Sequence, residues 1–358
     1  METVFVAMSG GIDSSIAAYL LKNDGLKVVG ITFQLLPDLL RGAQNPKTCC
    51  SREAILRAKR VADALSIPHY VINLREEFEE FVIERFVSDY RTGKTPNPCI
   101  LCNQHIKFSS FFHKAMAIGV DRIATGHYAI IEKTSGGCYL KKATDATKDQ
   151  SYFLYPIRKD QLNHILFPVG EYTKSTIKSL AHRIGWKNPG SYKESQDICF
   201  IPDGDYRTFL SKFVQLKKGP VYSVDGKLMG YHEGIHLYTI GQRRGLNITS
   251  TEPLYVIETR PDDNSLIVGT KKHLTKRRLI ATEVNIVSDT AEHTTGKVRY
   301  RQKEQACRYK LQNNTIDVEF DKPIDAITPG QSVVLYSHDR VVGGGVIESS
   351  FGDGALKT

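Results

Sequence analysis

The sequence predicts a Rossmann-like α/β domain, with a parallel sheet covered by helices, followed by two smaller, mostly β domains, the last a terminal β-barrel. Three observations carry this reading. Across the first 200 or so residues, short apolar runs alternate with helix-length patterned segments, the signature of a parallel sheet with crossover helices. Beyond about residue 205 strand-like runs recur at about 8–12-residue spacing with turn residues between them. The length of 358 residues suits two or three domains at ~150 residues each. The boundaries are placed at 1–205, 206–275 and 276–358.

In chain order, Val4–Met8 is the first strand, a Gly-rich turn follows, and the apolar period from Ser15 to Lys22 marks a helix. Leu26–Leu35 is a second β-rich run. Thr48–Ser66 is helical, with Ala54, Leu56, Ala58 and Ala62 as strong helix formers. Pro68–Leu74 is a third strand and Glu76–Tyr90 an amphipathic helix. Val120–Thr125 adds a strand that ends at Gly126-His127-Tyr128, and Gly136-Gly137 turns a hairpin. In the second half, Val221–Val224, His236–Ile240, Leu254–Thr259, Leu266–Val268, Val333–Tyr336 and Val341–Ile347 are the strand candidates. Asp225-Gly226 and Asp262-Asp263-Asn264 are turn signals between them.

Composition excludes several classes. Hydrophobic residues are 41% and charged residues 24%, ordinary for a globular chain and wrong for a disordered one. No apolar run approaches the ~18 residues that span a bilayer, and the first residues lack the layout of a secretory signal. A membrane partner is therefore not expected, and a cytoplasmic location is. The net charge of +9 favours a polyanionic partner, although a merely basic enzyme would look the same. Seven Cys without a disulfide-scaffold rhythm read as reduced thiols, some of them chemical.

Ser9-Gly10-Gly11-Ile12-Asp13-Ser14-Ser15 follows the first strand and opens a helix. Two glycines let the backbone turn tightly and aim N–H groups at an anion, and the helix start adds unpaired donors. The Ser9, Ser14 and Ser15 hydroxyls are candidate phosphate donors and Asp13 a candidate Mg²⁺ ligand. A loop of this kind, without the lysine of the Walker type, suits a departing pyrophosphate. The bland alternative is a glycine turn with a serine cap. Gly93-Lys94-Thr95 imitates the end of a Walker motif, but position 88 is Ser88 and Pro96 and Pro98 forbid a helix start there.

Thr95-Pro96-Asn97-Pro98-Cys99-Ile100-Leu101-Cys102-Asn103 joins a proline-stiffened loop to a helix expected from Asn103, which puts Cys102 near a helix N-terminus that favours thiolate. Glu194-Ser195-Gln196-Asp197-Ile198-Cys199-Phe200 places another Cys in a polar, turn-rich setting. Two Cys that meet in space can pass sulfur through a persulfide and finish as a disulfide. Cys138 and Cys307 read as small buried hydrophobes, and Cys49-Cys50 as a loop end.

Ser-Gly-Gly-x-Asp-Ser at the first βα turn resembles the pyrophosphate loop of the N-type ATP pyrophosphatases, which adenylate a carbonyl oxygen and then displace AMP. With Thr95–Phe108, Gly126–Tyr128, Asp149–Leu154, Glu194–Pro202, Gly241–Gly245 and Pro329-Gly330-Gln331, the chain resembles the tRNA-specific 2-thiouridylase family over nearly its whole length. That resemblance implies an ATP-dependent tRNA sulfurtransferase acting on carbon 2 of the wobble uridine, with a cysteine desulfurase or relay protein as sulfur donor. It implies an ATP pyrophosphatase domain at 1–205, a small central domain at 206–275 and a tRNA-binding barrel at 276–358. Cys102 falls at the nucleophile and Cys199 at the persulfide carrier. Ala7, Met8, Ser9, Gly10, Gly11, Ile12, Asp13, Ser14, Phe33 and Gly126 fall where ATP is held. Asn97, Pro98 and Cys99 fall at the target base, and His127, Lys148, Asp149, Gln150, Arg299, Tyr300 and Gln331 at tRNA contacts.

One departure matters: many family members have Asp where this chain has Cys99. Three roles follow for Cys99: a proton-transfer group, a spare thiol for disulfide exchange, or a ligand with Cys102 and Cys199 of a [4Fe-4S] cluster carrying sulfide. A structural zinc would need a fourth ligand, and only His105 lies near.

The segment from Lys297 to Lys310 has six basic residues against one acidic. Read as a strand, it would put Arg299, Arg301 and Lys303 on one face for phosphates, with Tyr300 stacking on a base. A solvated edge strand is the competing explanation. Lys271-Lys272 and Lys276-Arg277-Arg278 form a second basic cluster. Rival functions are a small-molecule adenylating enzyme and a catalytically silent RNA-binding module.

Overall fold

The first strand, β1 (Thr3–Ala7), shows how the domain is built. Its residues alternate between two cores. Val4 and Val6 belong to one apolar cluster with Ile16, Ala17, Leu21, Ala58 and Val61, while Phe5 and Ala7 pack against another, rich in phenylalanine. A strand that packs apolar side chains on both faces lies inside a helix-covered sheet, and Val28–Phe33 of the next strand are buried at every position. The computed structural model describes residues 1–37, 52–186, 198–201, 204–288 and 293–352. Within them β1, β2 (Lys27–Gln34), β3 (His69–Asn73), β4 (Arg122–Thr125) and β7 (Ile165–Leu166) form a five-stranded parallel sheet in the order β3-β2-β1-β4-β7. The chain runs from β1 outward to β3, then returns to the other side of β1 with β4. The reversal between β1 and β4 is the crevice where open α/β sheets hold ligands at their carboxyl ends.

Helix α1 (Ile12–Asn23) and helix α2 (Arg52–Ala64) cover the face with Val4 and Val6. The expected helix Thr48–Ser66 is seen from Arg52; residues 48–51, with Cys49 and Cys50, lie outside the described residues. The other face is covered by helical runs at 75–91 and 98–117, whose Phe78, Phe86, Phe108 and Phe111 are fully buried. Both runs widen to i→i+5 bonding, over Glu79–Glu84 and Cys102–Phe111.

Two further sheets follow. The first has the order β10-β11-β8-β9 and is made of β8 (Gly219–Ser223), β9 (Leu228–His232), β10 (Tyr255–Arg260) and β11 (Ser265–Gly269), over a core of Val221, Leu237, Val256 and Val268. The second is a six-stranded barrel, β12 (Thr275–Ile286), β15 (Thr315–Asp325), β14 (Gln305–Gln312), β13 (Thr294–Lys297), β16 (Ser332–Ser337) and β17 (Arg340–Phe351). Pairing of β12 with β17 closes it. The hairpin of β5 (Ile130–Thr134) and β6 (Gly137–Lys141), sent out by the first domain, joins this sheet through Lys141 and Arg340.

Three expectations are corrected. His236–Ile240 is not a strand: Ile235–Leu237 make a single tight helical turn, because Gly234 precedes it and the three side chains Ile235, Leu237 and Tyr238 all enter the core. Lys297–Lys310 is not one strand either. It ends β13, turns through 298–304 and starts β14, so the alternation that would align Arg299, Arg301 and Lys303 does not exist. The helix expected from Asn103 starts at Pro98, since Asn97 caps it and a proline at the first position needs no N–H partner.

Candidate active site

The loop after β1 sits at the sheet's switch point. Met8 N–H still donates to Ile31 O at 2.7 Å, so the turn begins only at Ser9. Gly10 has φ +71°, and a Cβ there would lie 2.4 Å from Ala54 O; only glycine fits. Gly11 precedes the helix in extended conformation with no side-chain cap of its own. The Ser14 and Ser15 hydroxyls donate to Gly11 O at 3.1 and 2.9 Å, and Ser9 N–H donates to Ser14 Oγ at 3.2 Å. Ser14 and Ser15 are buried braces of the loop, which leaves Ser9 as its exposed hydroxyl. Gly126, after β4, presses against the same turn: a Cβ there would lie 2.5 Å from Ser14 N. Met8 and Ile12 are buried beneath the loop, Ala7 is half-buried, and Phe33 packs in the core with its ring 4.9 Å from that of Phe111.

Asp13, in the first turn of α1, is held by residues that the motif does not contain. The Lys174 ammonium donates to its two carboxylate oxygens at 2.7 and 2.8 Å, and Tyr128 Oη donates to Oδ1 at 2.7 Å. Lys174 is 7% exposed and stands first in the helix Lys174–Arg183, capped by Thr173; its N–H donates to Asp145. The Asp13 carboxylate is thus already neutralised, and the residues as placed do not present it to a divalent cation. No group of three or more His, Cys, Asp or Glu that could hold a metal ion occurs among the described residues. Cys99, Cys102 and Cys199 all lie within them and do not form such a group.

Beside the loop, His127 is crowded by Phe108 and Phe167 and pushed well below the usual histidine range by burial and by Lys107. Lys107 Nζ lies 3.3 Å from Nε2, so Nε2 accepts and the other ring nitrogen donates to Thr125 Oγ1 at 2.6 Å. Lys107 also donates to Asn103 Oδ1. Asp149 is buried, and its carboxylate takes Ala143 N–H, Ser151 N–H and Ser151 Oγ–H inside the protein. Gln150 is laced to Tyr128 in both directions, at 2.9 and 2.8 Å. Lys148 N–H donates to Asp145 O, which puts Lys148 on the turn that anchors Lys174.

The cysteine loop is built by its prolines and cap. Asn97 accepts Ile100 N–H, Pro98 is buried, Cys99 is exposed in the first helical turn, and Cys102 lies half-buried one turn later. The helix start therefore lies at Cys99 rather than at Cys102. Cys102 and Cys199 both pack against the phenylalanine-rich core, beside Leu101 and Phe200. Residues Glu194–Asp197 and Pro202 of the Cys199 motif lie outside the described residues. Cys307 is buried and its thiol pushed up to about 12; Cys138 is half-buried, its sulfur 3.9 Å from Asn163 Oδ1.

The basic segment faces two ways. Arg299 turns inward and donates to Ile240 O at 3.0 Å and Thr328 Oγ1 at 2.6 Å, stitching the middle sheet to the barrel. Tyr300 packs on Phe153 with ring centroids 4.5 Å apart. Arg301 and Lys303 are exposed on the turn. Gln331 donates to Thr95 O at 2.8 Å, just before the cysteines.

Residues 2–203 match the family described as the tRNA methyl transferase HUP domain, 207–270 the tRNA methyl transferase PRC-barrel domain, and 276–347 the aminomethyltransferase beta-barrel domain. The chain is 44% identical over 359 residues to the tRNA-specific 2-thiouridylase MnmA of Halothermothrix orenii, covering 98% of this chain and 100% of that protein. It belongs to the tRNA-specific 2-thiouridylase family. The 2-thiouridylase of Clostridioides difficile is 44% identical over 98% of this chain and 99% of its own. That of Moorella thermoacetica is 45% identical over 96% and 99%.

Among 2-thiouridylase positions, the structure brings Ser9–Ser14 and Gly126 together at one crevice, with His127 next to them. Sequence reasoning missed Lys174, Lys107 and Tyr128. A usable signal existed for Lys174: a lysine in the first turn of a helix opposes the dipole and needs a carboxylate nearby.

Proposed function

We propose that this protein is an ATP-dependent sulfurtransferase that replaces the oxygen at carbon 2 of the wobble uridine in selected tRNAs. The observation that carries this reading is the 44% identity to 2-thiouridylases over 98% of the chain. The loop at the β1/β4 crevice supports it independently.

ATP supplies the adenylyl group: the uracil O2 attacks the α-phosphorus, pyrophosphate leaves, and carbon 2 becomes electrophilic. The Gly10-Gly11 turn and the start of α1 hold the phosphates through backbone N–H groups, and Lys174 lies where it can balance their charge. The outer sulfur of a Cys199 persulfide attacks carbon 2, and AMP leaves with the former uracil oxygen. The Cys102 thiolate then attacks Cys199 Sγ; the S–S bond breaks, 2-thiouridine departs with the electron pair, and a Cys102–Cys199 disulfide remains. An external dithiol reduces it, and a cysteine desulfurase or relay protein reloads Cys199. In a variant of the same chemistry Cys102 releases sulfide from the persulfide first.

The division at 1–205, 206–275 and 276–358 belongs to this reading, supported by the three family matches. No helix among the described residues is long and apolar enough to cross a membrane. The substrates agree with a cytoplasmic place of action. Nucleoside mass spectrometry of tRNA from cells lacking the protein tests the proposal: loss of 2-thiouridine is expected, and its persistence at normal levels overturns it.

A further inference from the structure

Residues 93–96 lead directly into Asn97, Cys99 and Cys102, and both β domains grip them. From the middle sheet, Thr259 Oγ1 donates to Gly93 O at 3.0 Å and Pro261 packs on Gly93, where a Cβ would lie 2.6 Å from its ring. Thr95 Oγ1 donates to Thr239 Oγ1 at 3.4 Å. From the barrel, Pro329 O accepts Thr95 N–H at 2.9 Å, and the Gln331 amide donates to Thr95 O at 2.8 Å and Pro96 O at 3.3 Å. Gly330, at φ +88°, comes so close that a Cβ would stand 2.7 Å from Thr95 N. Behind them, Gly93 and Lys94 N–H donate to Tyr90 O and Asp89 O at 3.0 and 2.9 Å.

The strap is also stiff. Pro96 and Pro98 lock φ near about −65°, leaving Asn97 as the one ordinary residue between them, and Asn97 is committed to capping. Both prolines are buried. A displacement at Thr95 therefore passes to Cys99 with little damping.

We propose that Gln331 and Gly330 are positioning residues: the barrel sets the place of Cys99 and Cys102 by clamping Thr95-Pro96, so barrel seating governs cysteine chemistry as well as tRNA grip. The Gln331 amide nitrogen donates to two carbonyls of this strap, Thr95 O and Pro96 O. This inference rests on the reading that the cysteines carry sulfur transfer, and one of its tests does not.

The test uses the full-length protein with Gln331→Ala and Gly330→Ala. Three quantities are read: the alkylation rates of Cys99 and Cys102 by iodoacetamide, resolved by peptide mass spectrometry without ATP or tRNA; the tRNA Kd; and the single-turnover thiolation rate. The glycine variant removes no side chain that could touch RNA. Both variants are expected to change alkylation at least about threefold, slow thiolation by about tenfold and leave the Kd within about twofold, as for a misplaced reacting group. Unchanged alkylation, with a Kd weakened about tenfold in Gln331→Ala and no effect of Gly330→Ala, overturns the clamp and makes Gln331 an RNA contact. Should Gly330→Ala fail to fold, Gln331→Glu decides, since it keeps the length and removes the donor. Altered alkylation alongside normal thiolation in Cys102→Ala would sink the sulfur-transfer reading while the clamp stands.

Discussion

The Lys174 ammonium meets both carboxylate oxygens of Asp13, at 2.7 and 2.8 Å, across a sequence separation of 161 residues. The pyrophosphate-type loop has no lysine of its own, and this pair supplies one from the first turn of a distant helix. A buried lysine is costly to leave unpaired, so the contact fixes the helix to the loop as well as the charge.

Lys174→Met is expected to weaken ATP binding at least about tenfold, read by calorimetry, because the polyphosphate loses a charged partner. It should also destabilise the fold by about 2 kcal/mol by leaving Asp13 with Tyr128 as its remaining named partner. Mn²⁺ without nucleotide should bind more tightly to the variant, since the carboxylate no longer serves the ammonium. Unchanged ATP affinity would leave Lys174 a structural pin.

Gly10→Ala should be far more damaging than an ordinary surface substitution. The position combines φ +71° with a Cβ that would lie 2.4 Å from a backbone oxygen. A loss of about 2 kcal/mol or more in denaturant unfolding, with collapsed ATP binding, is expected.

The two cysteines separate by step. Cys199→Ala and Cys102→Ala should abolish 2-thiouridine formation while tRNA-dependent pyrophosphate release persists, because neither thiol takes part in adenylation. Pyrophosphate assay and nucleoside mass spectrometry on the same samples decide it. Thiolation retained by Cys199→Ala would remove the persulfide route.

Salt dependence distinguishes the inward from the outward arginines. Arg299 spends its guanidinium on Ile240 O and Thr328 Oγ1, whereas Arg301 and Lys303 are exposed. The double variant Arg301→Ala/Lys303→Ala should flatten the slope of log binding constant against log salt by about 1–2. Arg299→Ala should leave the slope alone and lower the unfolding midpoint. The reverse pattern would mean that Arg299 swings out to RNA.

Stability should fall as pH drops through the ordinary histidine range near 6.5. Burial lowers His69, His105, His127 and His232, so the unfolded chain takes up protons that the folded one refuses. His127, the most strongly lowered, gives a slope of at most about 1.4 kcal/mol per pH unit between its unfolded and folded pKa values, and the part-exposed His69, His105 and His232 add less. Denaturant midpoints measured between about pH 7.5 and 5.5 test this, and His127→Gln should shallow the fall.

Much of the first domain was legible because a doubly buried strand must be apolar at consecutive positions and a covering helix must repeat near every fourth residue. β1, β2 and β3 lie within a residue or two of their expected bounds. The glycines at 10 and 11 were readable for the same local reason: a backbone that turns back on itself excludes side chains. A terminal barrel was legible as well, but the β12–β17 pairing that closes it, the tight turn at Ile235–Leu237 and the break in the basic segment were not, because each depends on partners far along the chain. The same holds for the site. Local sequence determined the anion loop and the cysteine helix, but only tertiary packing decided that Lys174 answers Asp13, that Arg299 points inward and that Gln331 holds Thr95. Charges and amides choose partners by distance in space, and sequence order does not record it.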